Sequence, residues 1–115
     1  MVLDTFPYPG GTTSVDALWM GVPVLTLRGD RFLSHLGESI AINAGQSNWI
    51  AQDQDDYVNK AVAFASDLQG LATIRKTLRD RVLQTPLFDN KRFARNFREA
   101  LVGMLKRKQE SCQLS

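Results

Sequence analysis

The residues best suited to chemistry gather near the N-terminus, in Pro9-Gly10-Gly11-Thr12-Thr13 and then Asp16. Glycines without side chains let backbone N–H groups come close to a ligand. A helix start adds unpaired N–H donors and the positive end of the peptide dipole. The hydroxyls of Thr12 and Thr13 put further donors in the same place. Phosphate is the guest that suits this chemistry. The loop is neither a Walker loop nor a GxGxxG fingerprint, so the motif alone is only moderately specific. The same residues also read as a helix end, because Thr13-x-x-Asp16 resembles a capping box with aspartate in place of glutamate. The pattern leaves both open, and they are compatible, since a capped helix still presents other N–H groups.

The elements that must position this loop alternate. Val2 to Phe6 is a short extended run ahead of Pro7, Val22 to Leu27 is β-branched and nearly all apolar, and Asn48 to Ala51 is a weaker third strand. Between them lie helices expected over Thr13 to Met20 and Leu33 to Ala44. Each is closed by a glycine, Gly21 or Gly45, where a left-handed residue is favoured. In the second helix Leu33, Leu36, Ile40 and Ala44 make one apolar stripe. This order argues for parallel strands joined by crossover helices. Three further helices follow. Tyr57, Ala61, Phe64, Ala65 and Leu68 mark the first, capped by Asp53, Asp55 or Asp56. Leu71, Ile74, Leu78 and Val82 mark the second, which Pro86 stops. Phe93, Phe97, Ala100, Leu101, Met104 and Leu105 line the last. The expected division is an α/β part over residues 1–52, helices over 53–108 and a frayed tail over 109–115. Three strands with most helices behind them fit the second half of a doubly wound lobe, whose crevice lies at the C-terminal ends of its strands. A piece of a longer protein is therefore expected.

A chain of 115 residues can bury a modest core. Its formal charge of +2 does not by itself point to nucleic acid or membrane, and neither partner is expected. The charge is unevenly spread, because Lys91, Arg92, Arg95, Arg98, Lys106, Arg107 and Lys108 hold half of the 14 Lys and Arg residues. No apolar run approaches the ~18 residues that cross a bilayer. Asp4 interrupts an N-terminus without basic residues, so no signal peptide is expected. The single cysteine, Cys112, cannot form an internal disulfide, which suggests a cytoplasmic setting. His35, the Asp30–Arg31 pair, Trp19 and Trp49 read most simply as surface, loop and packing residues.

The stretch "LDTFPYPGGTTSVDALWMGVPVLTL" resembles the C-terminal part of the catalytic region in the O-linked N-acetylglucosamine transferase family, glycosyltransferase family 41, with its SPINDLY-like members. Bacterial members often join the enzyme to tetratricopeptide repeats. "RFLSHLGESIAINAG" and "TPLFDNKRF" resemble later segments of the same family, so the likeness covers nearly the whole chain. It implies a C-terminal Rossmann-like lobe of a two-lobed GT-B transferase, with a UDP-sugar (UDP-GlcNAc) as donor and a protein hydroxyl as acceptor. It implies inversion at the sugar, no separate cofactor and no metal. Residue by residue, it assigns Thr12 and Thr13 to the donor diphosphate and Asp16 to the ribose, while Gly10 and Gly11 clear space beside the helix start and complete the expected donor site. Animal members carry histidine where this chain has Gly11, so backbone contacts carry over at this position and a side-chain contact does not.

No residue stands out as the base for the acceptor hydroxyl, so the chain alone is expected to be inactive. Its first strand and last helix would lack neighbours, and self-association is expected. Two other readings remain. One is a non-catalytic nucleotide-binding or regulatory α/β module, and the other is an interaction module built on the basic last helix.

Overall fold

The computed structural model describes residues 1–113, and strand β1 (Val2–Leu3) opens the chain. Helix α1 (Thr12–Trp19) follows, then β2 (Val24–Leu27), a 3-10 turn over Leu33–His35 and α2 (Leu36–Asn43). A second 3-10 turn, Ser47–Trp49, leads into β3 (Ile50–Ala51). Helices α3 (Gln54–Ser66), α4 (Leu68–Leu83) and α5 (Asn90–Gln113) complete the chain, with a 3-10 turn at Pro86–Phe88 before the last. The three strands are parallel, in the order β1-β2-β3, with Val2 beside Val24 and Thr26 beside Ile50.

The strands are shorter than the sequence suggests. Pro23 has no N–H to give a ladder, but its carbonyl accepts from Val2 at 2.8 Å, so pairing begins there in one direction only. Both crossover helices end as their glycines predict. Gly21 has φ 72° and Gly45 has φ 67°, a region that other residues enter only with strain.

Alternation along β2 builds two apolar clusters. Val24 meets Leu18 of α1, Ala44 after α2, and Leu78 and Val82 of α4. Leu25 faces the other way, onto Trp49, Ala51 and Tyr57 of α3, and the Trp49 ring lies 4.2 Å from Phe64. The α4 stripe is as expected. The α2 stripe is half as expected: Ile40 and Ala44 pack on the core, but Leu33 and Leu36 are exposed, and Ser34, Gly37 and Ala41 are the buried residues in their place. Small residues are required there because the helix lies almost on β2. A Cβ on Gly37 would run into the Thr26 side chain.

Asp53 caps α3 by accepting from the Asp56 amide at 2.8 Å. Leu68, expected on that helix, instead opens α4 and is exposed. Asp67 makes the break by accepting from the Gly70 amide at 2.8 Å, a cap that competes with continued helix. Trp49 is buried as expected, whereas Trp19 stands 42 % exposed between Phe88 and Arg79. Helix α5 runs through the start of the expected tail to Gln113, and the remainder of that tail lies outside the described residues. Its apolar residues Phe93, Phe97, Leu101, Met104 and Leu105 are all exposed. The radius of gyration, 17.9 Å, exceeds the ~13 Å of a compact chain this long, because α5 projects from the core.

Candidate functional site

The loop between β1 and α1 leaves the C-terminal end of a parallel strand, where ligands of such sheets bind. Helix α1 begins after Gly11 and carries no side-chain cap. The capping-box reading of Thr13 and Asp16 is therefore incorrect: neither side chain closes the helix start. The N–H groups of the first turn have no partner within the helix and can meet a ligand. Thr12, Thr13 and Asp16 are exposed, with Asp16 about one turn along from Thr12, while Gly10 and Gly11 are half-buried. The five expected residues thus lie together at one helix start.

Their roles differ more than the sequence suggests. The Gly10 amide donates to Asp4 Oδ1 at 2.7 Å, so this N–H is already engaged. A Cβ on Gly10 would stand 2.7 Å from Ser14 Oγ and 3.1 Å from Asp4 Oδ1, which makes the absence of a side chain the point of this residue. Gly11 is less confined, since a Cβ there would meet only Leu36, at an ordinary 3.5 Å.

Asp4 is the residue that sequence reasoning missed. It is 7 % exposed and directly follows β1. Oδ1 also accepts from the Thr5 amide at 3.0 Å, and Oδ2 accepts from the Thr26 hydroxyl at 2.8 Å. Its backbone carbonyl accepts from the Tyr57 hydroxyl at 2.7 Å. Burial, helped by the nearby Asp4 charge, raises the Tyr57 pKa above the ordinary value. The available signal was an acidic residue at the C-terminal end of an otherwise apolar strand.

Beside this loop lies an open cleft of about 650 Å³, bounded by Pro7 and Tyr8 on one side and by Asp30 to Ser34 on the other. Both walls follow C-terminal strand ends. Ser34 Oγ accepts from the Arg31 amide at 3.0 Å and donates to the Arg31 carbonyl at 2.8 Å, which closes the second wall on itself. His35 lies apart in a surface cluster, with Nδ1 2.6 Å from Glu38 Oε2 and Arg28 Nε 3.4 Å from Glu38 Oε1. Among the described residues, no helix is long and apolar enough to cross a membrane.

Comparison with known proteins gives three concordant results. Residues 1–97 match the family model described as glycosyl transferase family 41. The chain is 38% identical over 105 residues to a probable UDP-N-acetylglucosamine--peptide N-acetylglucosaminyltransferase SPINDLY from Solanum lycopersicum, covering 91% of this chain and 11% of the relative. The protein of the same description from Eustoma exaltatum subsp. russellianum is 43% identical over 91 residues, covering 79% of this chain and 10% of the relative. Among solved structures, a mutant O-GlcNAc transferase of Thermobaculum terrenum superposes with a TM-score of 0.78 at 36% identity. That match covers 86% of this chain and 19% of the other. The chain thus spans about a tenth of the length of the curated relatives it matches.

Proposed function

The chain belongs to glycosyl transferase family 41, and on that footing we propose that it forms the donor-binding part of a UDP-sugar-dependent transferase. Its parallel strands and flanking helices form a Rossmann-like portion of the GT-B fold. The proposed reaction transfers N-acetylglucosamine from UDP to a hydroxyl of a protein acceptor, with inversion. The observation that carries the reading is the uncapped start of α1, with Thr12 and Thr13 exposed at a strand's C-terminal end.

In this proposal the first-turn amides and the two threonine hydroxyls hold the diphosphate. As the sugar leaves, negative charge collects on those oxygens, and donors fixed in advance stabilise it more than the ground state. Gly11 keeps the approach open, Gly10 allows the loop to pack, and the Asp16 carboxylate accepts from the ribose hydroxyls. Relatives described as peptide N-acetylglucosaminyltransferases support both the choice of sugar and the protein acceptor. The unpaired Cys112 supports a cytoplasmic setting. The exposed apolar face of α5 supports pairing with a second copy when the chain is alone.

The test is a titration of the chain with UDP, following backbone amide resonances. Shifts confined to Gly11 to Asp16 are expected. A titration that leaves this segment unmoved would remove the donor site from it.

A further inference from the structure

We infer that Asp4 is a positioning residue for the nucleotide diphosphate, acting through the Gly10 loop without touching the ligand. The inference rests on the proposed donor site and deepens it. Three donors converge on one buried carboxylate: the Thr5 and Gly10 amides and the Thr26 hydroxyl. The ion pairs among the described residues join Arg28 and His35 to Glu38 and Lys60 to Asp56, and Asp4 is in none of them. Its charge is therefore met by these neutral donors, and charge-assisted hydrogen bonds of this kind are stronger than neutral ones. Two glycines leave the carboxylate the room it occupies. A Cβ on Gly10 would crowd Oδ1, and a Cβ on Gly37 would come within 2.8 Å of Oδ2.

The geometry fixes Gly10 immediately before the helix start at Gly11. It couples that point to Thr26 on β2 and, through the Asp4 carbonyl, to Tyr57 on α3. The diphosphate end of a nucleotide, held at the first-turn donors beside Gly10, would feel this anchoring more than the ribose, held one turn on at Asp16.

The experiment compares UDP with uridine by titration of the chain and of two variants. Asp4→Ala is expected to weaken UDP binding about tenfold or more, the size of a lost hydrogen bond to a charged group, and uridine binding clearly less. Asp4→Asn keeps an oxygen for both amides, and the Thr26 hydroxyl can turn to accept, but the bonds become neutral, so UDP affinity should fall less than in Asp4→Ala. Should Asp4→Ala fail to fold, Thr26→Val removes one donor at similar volume and is expected to lower UDP affinity about threefold. Equal losses for UDP and uridine would reduce Asp4 to a structural residue. Unchanged UDP binding in the variant that folds would overturn the inference alone. A wild-type chain that binds no UDP would overturn the donor site and this inference with it.

Discussion

The Tyr57 hydroxyl donates to the backbone carbonyl of Asp4 at 2.7 Å, tying α3 to the end of β1 across most of the sheet. Removing that hydroxyl in Tyr57→Phe should cost about 1 kcal/mol, the usual value of a buried neutral hydrogen bond. The pH response gives a sharper test. The folded chain holds the phenolic proton more tightly than the unfolded chain does, because burial and Asp4 both oppose the phenolate. That contribution is fully present below the ordinary pKa of 10.0 and is lost as pH rises through the higher folded value. Denaturant unfolding from pH 9 to 11 should therefore show a fall in stability that Tyr57→Phe lacks.

Gly37→Ala is expected to be among the more damaging single methyl additions. The new carbon would collide with the Thr26 side chain and press on Asp4 Oδ2. Overpacking of this kind costs about 1–3 kcal/mol. A fall in the thermal midpoint of several degrees should accompany it, and a midpoint within a degree of wild type would contradict the close approach of α2 to β2.

Asp16→Ala should separate binding from folding. Asp16 is exposed on α1 and closes no cap, so stability should move by less than about 0.5 kcal/mol. UDP affinity, measured by calorimetry, should drop about tenfold through loss of a charged acceptor for the ribose. Unchanged affinity would remove Asp16 from the ribose site.

Charges placed on the face of α5 should change the association state. Phe93 and Phe97 stack with centroids 5.8 Å apart, and Leu101 and Met104 continue the exposed stripe. Sedimentation should show the wild-type chain associating at high concentration and a Phe97→Glu, Leu101→Glu variant remaining monomeric. A monomeric wild type would count against pairing of copies through this helix.

Several features of the fold were legible because their causes are local. Gly21 and Gly45 mark helix ends through their own backbone preference, Asp53 caps through a neighbour three residues away, and Leu78 and Val82 recur at the helical period. The grouping of Gly10 to Thr13 with Asp16 was legible for the same reason. Asp4 was not, because its partners Gly10, Thr26 and Tyr57 come from three separate segments and meet only when the sheet forms. On α2 the periodicity identifies Ile40 and Ala44 but not Gly37 and Ala41, because it favours large residues such as the exposed Leu33 and Leu36, while a close approach to β2 selects small ones. The break at Asp67 was hidden because a local cap there overrides an otherwise continuous helical pattern.

Helix α5 also has a mechanical consequence. Its 24 residues make a rod of about 36 Å, joined to the core at the Pro86–Phe88 turn. A swing of ~10° at that joint would carry the far end by ~6 Å, the arc expected of a lever this long. A partner gripping the distal turns would thus sense small changes in the angle between α5 and the core as displacements on the scale of a whole side chain.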